Sequence, residues 1–329
     1  MDLAGLTILV VNAGSTSLKL SLVDGDVARP VDEFVPADAV AHRIVHLGDL
    51  RIDAAVVENW LLPYMQEGAE IAPLHNRPAL KALEEAQRAL PDVPHVVVSD
   101  SYFHHTLPDE AREYAIPREL RDGYEIVRHG FHGLSVEWAA DQVRAARLVV
   151  CHLGGGCSVT AVRDGRSVDT TMGWTPLEGL PGATRSGSVD PGALLYVLRH
   201  GTAAEELDRI LEHESGLRAL GGLDDPLGLD VFTYRVAQAV AAMATALAGI
   251  DALVFTAGIG ENSARVRREV CARLGFLGVQ LDNARNESAK PDAEIAADDS
   301  AVRVAVIRAR EELVAARAAS ALLASDDRA

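Results

Sequence analysis

Ile8–Gly25 reads ILVVNAGSTSLKLSLVDG, and Leu148–Gly165 reads LVVCHLGGGCSVTAVRDG; the two align without a gap, 140 positions apart. Each is an apolar run, a glycine-centred turn, a second run with period-two alternation, and an Asp-Gly pair. Alternation marks a strand, and Asp-Gly supplies the positive φ that a tight hairpin needs. Each copy therefore reads as strand, glycine loop, strand, turn, and RSVDTT after the second copy reads as a third strand. One supersecondary unit met twice, a domain apart, points to duplication.

Helical periodicity follows each copy. PALKALEEAQRAL from Pro78, LSVEWAADQVRAA from Leu134, DVFTYRVAQAVAAMATALAGI from Asp230 and SARVRREVCARLGF from Ser263 carry apolar residues at helical spacing. Single strands, HVVVSD, RLVVCHL, ALVFTAG and RVAVIR, lie between them. Strands alternating with helices imply an α/β fold: two duplicated domains with central mixed β-sheets flanked by helices. The first domain is expected over 1–146 and the second over 147–311, with the last helix, about 312–329, folding back on the first. DNARNESAKPDAEIAADD reads as a surface loop.

A net charge of −17 argues against non-specific nucleic-acid binding and means that an anionic substrate needs a local cluster of positive charge. Only Lys19, Lys81 and Lys290 are lysines, so arginine supplies most of that charge. No apolar run reaches membrane length, and the N-terminus lacks the basic start of a secretory signal, so the expected location is the cytoplasm, with no membrane partner. Cys151, Cys157 and Cys271 have no metal-ligand spacing and read as free, buried thiols.

Glycine turns at strand ends aim backbone N–H groups at one point, which makes an anion site. Three occur here: NAGSTSLK, HLGGGCS with Gly154, Gly155 and Gly156, and FTAGIGENS with Gly258 and Gly260 leading into a helix capped near Asn262 or Ser263. Three such ends in two similar domains suggest a nucleotide held in the cleft between them. Neither G-x-x-x-x-G-K-[ST] nor a βα-type G-x-G-x-x-G is present.

Ten stretches resemble the acetokinase family of the sugar-kinase, Hsp70 and actin superfamily. They are VVNAGSTSLKLSLVDG, AHRIVHLGD, IAPLHNRP, SDSYFHHTLP, RHGFHGLS, CHLGGGCSV, VDTTMGWTPLEGLPGATRSGSVDP, LDVFTYR, DALVFTAGIGENS and the Glu-Glu-Leu at Glu311, in family order over nearly the whole chain. The resemblance implies a ribonuclease H-like, actin-like ATPase fold with the active site in the interdomain cleft. It implies reversible transfer of the ATP γ-phosphoryl group to acetate, giving acetyl phosphate and ADP, with Mg²⁺ (or Mn²⁺) required. A homodimer is implied by the family alone. Such a transfer asks the protein to position the groups and neutralise charge on the equatorial oxygens.

By the same resemblance, Arg43 and Arg185 bind substrate and phosphoryl group; a guanidinium fork suits both anions. His132 in GFHG stabilises the transferring phosphoryl, and Asp100 at the end of HVVVSD orients an arginine or the metal's water. Asn12 and Glu311, or Glu312 beside it, stand on the metal side. His152 and His75 lie near phosphate or substrate. Val45, Leu74, Phe131 and Pro176 form a small acyl pocket. Ser15, Ser17 and Lys19 meet phosphate oxygens, as do the Gly154–Gly156 amides, while Gly258, Ile259, Gly260, Glu261 and Asn262 serve the nucleotide.

The chain departs from the family pattern in places. Gly155 stands where an Asn is usual, and Gly182-Ala183 precedes Thr184-Arg185 where Met-Gly is usual. Segments are shortened between Asp24 and Arg43, and between SGLRALGGLDD and LGLDVFTYR, where an adenosine-gripping Asp-x-Arg signature is missing. The departures keep three further readings open: propionate as acceptor, pyrophosphate as donor, or a degenerate member that binds without turnover.

Overall fold

The computed structural model describes residues 5–14, 18–47, 50–71 and 73–326, the side chains of 73–75 and 326 excepted. Ser15, Ser17 and the side chains of Leu74 and His75 lie outside the described residues.

The described residues form two six-stranded sheets. In the first, β1 (Thr7–Ala13), β2 (Leu18–Asp24) and β3 (Val27–Val31) make an antiparallel meander; β4 (Ala39–Ile44) joins β1 in parallel, β6 (His95–Ser99) joins β4 in parallel, and β5 (Ala54–Val56) closes the edge antiparallel to β6. In the second, β7 (Arg147–Leu153), β8 (Cys157–Arg163) and β9 (Arg166–Thr170) make the meander; β10 (Ala252–Thr256) and β12 (Arg303–Val306) add in parallel, and β11 (Ala293–Glu294) closes antiparallel. The orders β3-β2-β1-β4-β6-β5 and β9-β8-β7-β10-β12-β11 match strand for strand, with the same senses. The duplication read from two hairpins thus extends to whole sheets.

The parallel strands β6 and β10 are buried at every position. That is the expected state for strands covered on both faces, and it explains their near-continuous Val, Leu and Phe content. The second core packs Val149, Val159, Leu253 and Phe255 against Phe232, Val236 and Val240 of the long Pro226–Leu247 helix. Each such side chain contributes roughly 1.5–3 kcal/mol by leaving water. Asp225 caps that helix through the N–H groups of Leu227 and Gly228, with Pro226 in the first turn, where its missing N–H costs nothing.

The chain divides into two compact units. One contains 1–105, 133–138 and 310–329; the other contains 106–132 and 139–309. The Glu311–Asp326 helix packs on β1 and β4 of the first unit. Segment 282–299 is not all loop. Asp282 accepts from the N–H groups of Ala284 and Arg285 and starts a helix at Asn283–Ser288, and β11 follows. An Asp N-cap nucleates a turn even where the composition looks loop-like. Ser263, the second of the two expected caps, accepts from Val266 N–H. A separate short helix, Ala257–Asn262, precedes it.

Candidate functional site

In the second unit, residues 106–132 are clamped before they reach His132. Arg128 Nη1 donates to the carbonyls of Thr170 and Met172 at 3.0 Å each, and Nη2 to Glu178 Oε1 at 3.0 Å. Glu178 also accepts from the Tyr114 hydroxyl. The N–H of His129 reaches Gly173 O at 3.1 Å. The clamp delivers His132 with φ +59°, a left-handed conformation that a residue with a side chain adopts only when its surroundings hold it. His132 Nδ1 lies 3.0 Å from Ser158 Oγ, and its ring stacks on His152 with centroids 3.9 Å apart. If Ser158 donates to Nδ1, the proton of a neutral imidazole sits on Nε2.

The loop between β7 and β8 brings the next groups in. Gly154 N–H donates to Gly156 O at 3.0 Å, and Ala183 N–H to Gly155 O at 2.9 Å, so the arginine-bearing segment is tied to the glycine loop. A Cβ on Gly156 would lie 3.0 Å from Arg185 Nη1 and 3.3 Å from His132 Nε2. Two side-chain nitrogens therefore converge on one point over Gly156, and only a residue without a side chain leaves it open. Arg185 is buried, and its Nε donates to Glu212 Oε2 at 2.7 Å. Phe131 and Pro176 are buried as well.

The Ala257–Asn262 turn treats its residues unequally. Ala257 has φ +65°. Glu261 Oε1 accepts from the N–H groups of Ala257 at 3.1 Å and Ala309 at 2.8 Å, and Asn262 Nδ2 donates to Gly258 O at 2.8 Å. Both side chains thus serve the fold's own backbone. Ile259 packs on the core, and Gly260 is buried against it. Gly258 is exposed, and a Cβ there would meet nothing within 4 Å.

In the first unit, strand ends gather a second set. Arg43, at the end of β4, donates through Nη2 to Asp100 Oδ2 at 2.7 Å and through Nη1 to Asn12 Oδ1 at 3.2 Å; its Nε stands 3.7 Å from Glu311 Oε2. Asn12 Nδ2 donates to Glu311 Oε2 at 2.9 Å. Burial alone would lower the Arg43 pKa, but the Asp100 and Glu311 carboxylates more than offset it, and the net shift is upward. Glu312 is raised by burial. Asp100 is held by Ile44 O through its own N–H, and Gly133 N–H donates to Asp100 O at 2.8 Å. Lys19 is exposed and sits across the β1–β2 ladder from Asn12. Val45 is buried just past Arg43.

Asn12, Asp100 and Glu311 offer oxygen donors only, which suits a hard cation such as Mg²⁺. Arg43, Asp100 and Glu311 together carry one excess negative charge, which a divalent ion would offset. Among the described residues no group of three His, Cys, Asp or Glu side chains could hold a metal by itself. The set therefore fits an ion that keeps several waters and takes one or two protein ligands. The three thiols are buried, which pushes Cys157 and Cys271 up to about 12 and Cys151 well above its usual value.

Two residues at the site escaped the sequence reading, Ser158 and Glu212. Ser158 lies two positions past the glycine run, in a strand buried on both faces, where alternation cannot say which way it points. Glu212 lies in LEHES, which carries no local signal for an arginine partner.

The model of the acetokinase family matches residues 33–317. An acetate kinase of Nostoc punctiforme is 41% identical over 318 residues, covering 89% of this chain and 78% of that protein. A propionate kinase from Francisella tularensis has a similar solved structure, with a TM-score of 0.86 and 30% identity, covering 95% of this chain and 98% of that one. The Porphyromonas gingivalis acetate kinase structure gives 0.84 and 27%, covering 96% and 99%.

Proposed function

The chain belongs to the acetokinase family, and on that premise we propose that it is an acetate kinase. It transfers the γ-phosphoryl group of ATP to acetate, reversibly, in one in-line step. A carboxylate oxygen of acetate forms the new P–O bond, the bond from the γ-phosphorus to the β–γ bridging oxygen breaks, and ADP leaves with the electron pair. Acetate is already ionised at neutral pH, so no base is needed. The protein's task is charge and position.

The convergence of Arg185 Nη1 and His132 Nε2 over Gly156 carries the reading. Two nitrogens aimed at one point beside the glycine loop match the equatorial oxygens of a transferring phosphoryl group, although the Gly154 N–H expected to meet phosphate is spent on Gly156 O. Stacked on His152 and bonded to Ser158, the His132 ring is held in one orientation, which limits reorganisation during transfer. Arg43, held by Asp100 and Asn12, offers a guanidinium for the acetate carboxylate or its acyl phosphate. Asn12 and Glu311 would hold Mg²⁺, which when bound neutralises the phosphate oxygens. Gly258 and the backbone around it are left to face the nucleotide.

Pyrophosphate as donor is the second reading. It is favoured by Asp225, which in the shortened segment is engaged as a helix cap. We also read the chain as a cytoplasmic homodimer. The Pro191–Arg199 helix buries none of its residues and exposes Leu195, Tyr196 and Val197, apolar surface available to a second copy. Light scattering tests it; a monomer at micromolar concentration would count against the dimer.

Trapping of the acyl phosphate as hydroxamate tests the function, with acetate or propionate, Mg²⁺, and ATP or pyrophosphate. Acetate with ATP is the expected best pair. One methylene changes binding by only about 1–3 kcal/mol, so propionate is expected to react more weakly. Product with pyrophosphate alone would overturn ATP as donor, and no product with any pair would overturn the kinase reading.

A further inference from the structure

Arg185 does not hold itself in place. It sits in an irregular stretch between β9 and the Pro191–Arg199 helix, and its guanidinium is fixed through Nε by Glu212, 27 residues later. The two side chains are 10% and 12% exposed, so the pair lies largely out of water. Glu212 is part of a π-helical turn, Ile210–Glu214. Such turns insert one residue more than an α-helix and re-aim the side chains they carry, often at functional sites. This one is bonded to the arginine's own neighbours. Ser186 N–H donates to Leu211 O at 2.9 Å, Thr184 Oγ1 to Glu212 O at 2.8 Å, and Ser215 N–H to Thr184 O at 2.9 Å. Backbone and carboxylate of the turn thus grip the same three-residue segment.

We propose that Glu212 is the positioning residue of Arg185. By accepting from Nε it sets the plane of the guanidinium, and that plane decides whether Nη1 reaches the point over Gly156 shared with His132 Nε2. Its negative charge has a second effect. A guanidinium already facing one carboxylate pulls less on a bound phosphoryl group, so Glu212 restrains ground-state binding while keeping the donor aimed. Binding that is equal in ground and transition states adds nothing to kcat, and aim does.

The proposal rests on the kinase reading, and its test separates the two. Three variants are compared: Glu212→Ala, Glu212→Gln and Glu214→Ala. Glu214 lies in the same π-turn but pairs with Arg209, so it reports damage to the turn itself. Expected are a kcat about 10–100-fold lower for E212A, since a misplacement on the order of 1 Å costs about that much, and recovery of most of that loss in E212Q. E212Q, whose amide oxygen still accepts from Nε, is also expected to lower KM for acetyl phosphate. E214A is expected to keep the wild-type kcat. Equal losses in E212A and E214A, or no loss in E212A from an active enzyme, would overturn the proposal and leave the kinase reading standing.

A second readout needs no turnover. In arginine-labelled protein the Nε–H signal of Arg185, assigned by its absence in R185K, should exchange slowly with solvent in wild type and E212Q and rapidly in E212A. Unchanged exchange in E212A would overturn the proposal even if the enzyme made no acyl phosphate at all.

Discussion

Gly156→Ala should stop the chemistry while leaving the fold intact. The added methyl carbon would sit 3.0 Å from Arg185 Nη1, 3.3 Å from His132 Nε2 and 3.4 Å from His132 Cε1. Those distances are a few tenths of an ångström short of comfortable contact, so both side chains must retreat. The methyl also occupies the point on which they converge. Gly156 is not among the glycines with positive φ, so alanine can adopt its backbone, and the smaller unfolded-state entropy can add a few tenths of a kcal/mol of stability. Removing one donor from a developing oxyanion costs about 10²–10³ in kcat, or about 2.7–4 kcal/mol. Two donors are displaced here, so a loss of at least about 100-fold is expected. The assay is hydroxamate-trapped acetyl phosphate at saturating acetate and ATP, with a thermal melt alongside. Gly155→Ala is the comparison: its methyl would meet nothing within 4 Å, so at least tenfold more activity should remain than in G156A. A G156A enzyme that melts like wild type and keeps kcat within about threefold would refute the convergence of Arg185 and His132 on the phosphoryl group.

Arg43→Ala removes an ion-pair partner of the fully buried Asp100, and breaking such a pair costs about 3–5 kcal/mol; urea unfolding should show that loss together with lost turnover. Stability should also fall in mild acid. His42 and His46 are buried neutral, with values lowered by burial to about 3 and about 4 from 6.5, and His95 adds to the lowering at His42. The unfolded chain then binds protons that the native state refuses. Their contribution is complete above about pH 6.5 and is lost as pH falls toward about 4 and about 3. By pH 5.5 each removes about 1.4 kcal/mol. Urea midpoints at pH 7.5 and 5.5 check it; His42→Asn should roughly halve the pH dependence, and equal midpoints in wild type would contradict it.

Much of the fold was legible because its signals are local. The Asp-Gly turns at Asp24 and Asp164 and the alternating runs before them mark hairpins without reference to the rest of the chain. Continuous runs such as HVVVS and ALVFT, short and rich in β-branched or aromatic residues, read as buried strands. What escaped depends on distance. Asp282 starts a helix inside a stretch whose composition says loop, because one cap outweighs several weak helix formers. Glu261 belongs by sequence to a nucleotide loop, yet the strand order brings Ala309 beside it, and its carboxylate goes to backbone N–H groups. Glu212 meets Arg185 only because a π-turn folds onto the Thr184–Ser186 backbone. An ion pair of that kind has no period and no motif. His132 and Arg185 were marked by resemblance alone; their shared point over Gly156 exists only in three dimensions.

The most direct test of the central claim is acyl-phosphate formation by the purified wild-type chain from acetate, ATP and Mg²⁺, read as hydroxamate and as ADP in the same sample. Equal amounts of both, absent without acetate and abolished in Arg185→Ala, are the predicted result. ADP without hydroxamate, or hydroxamate at the wild-type rate from the Arg185 variant, would contradict it.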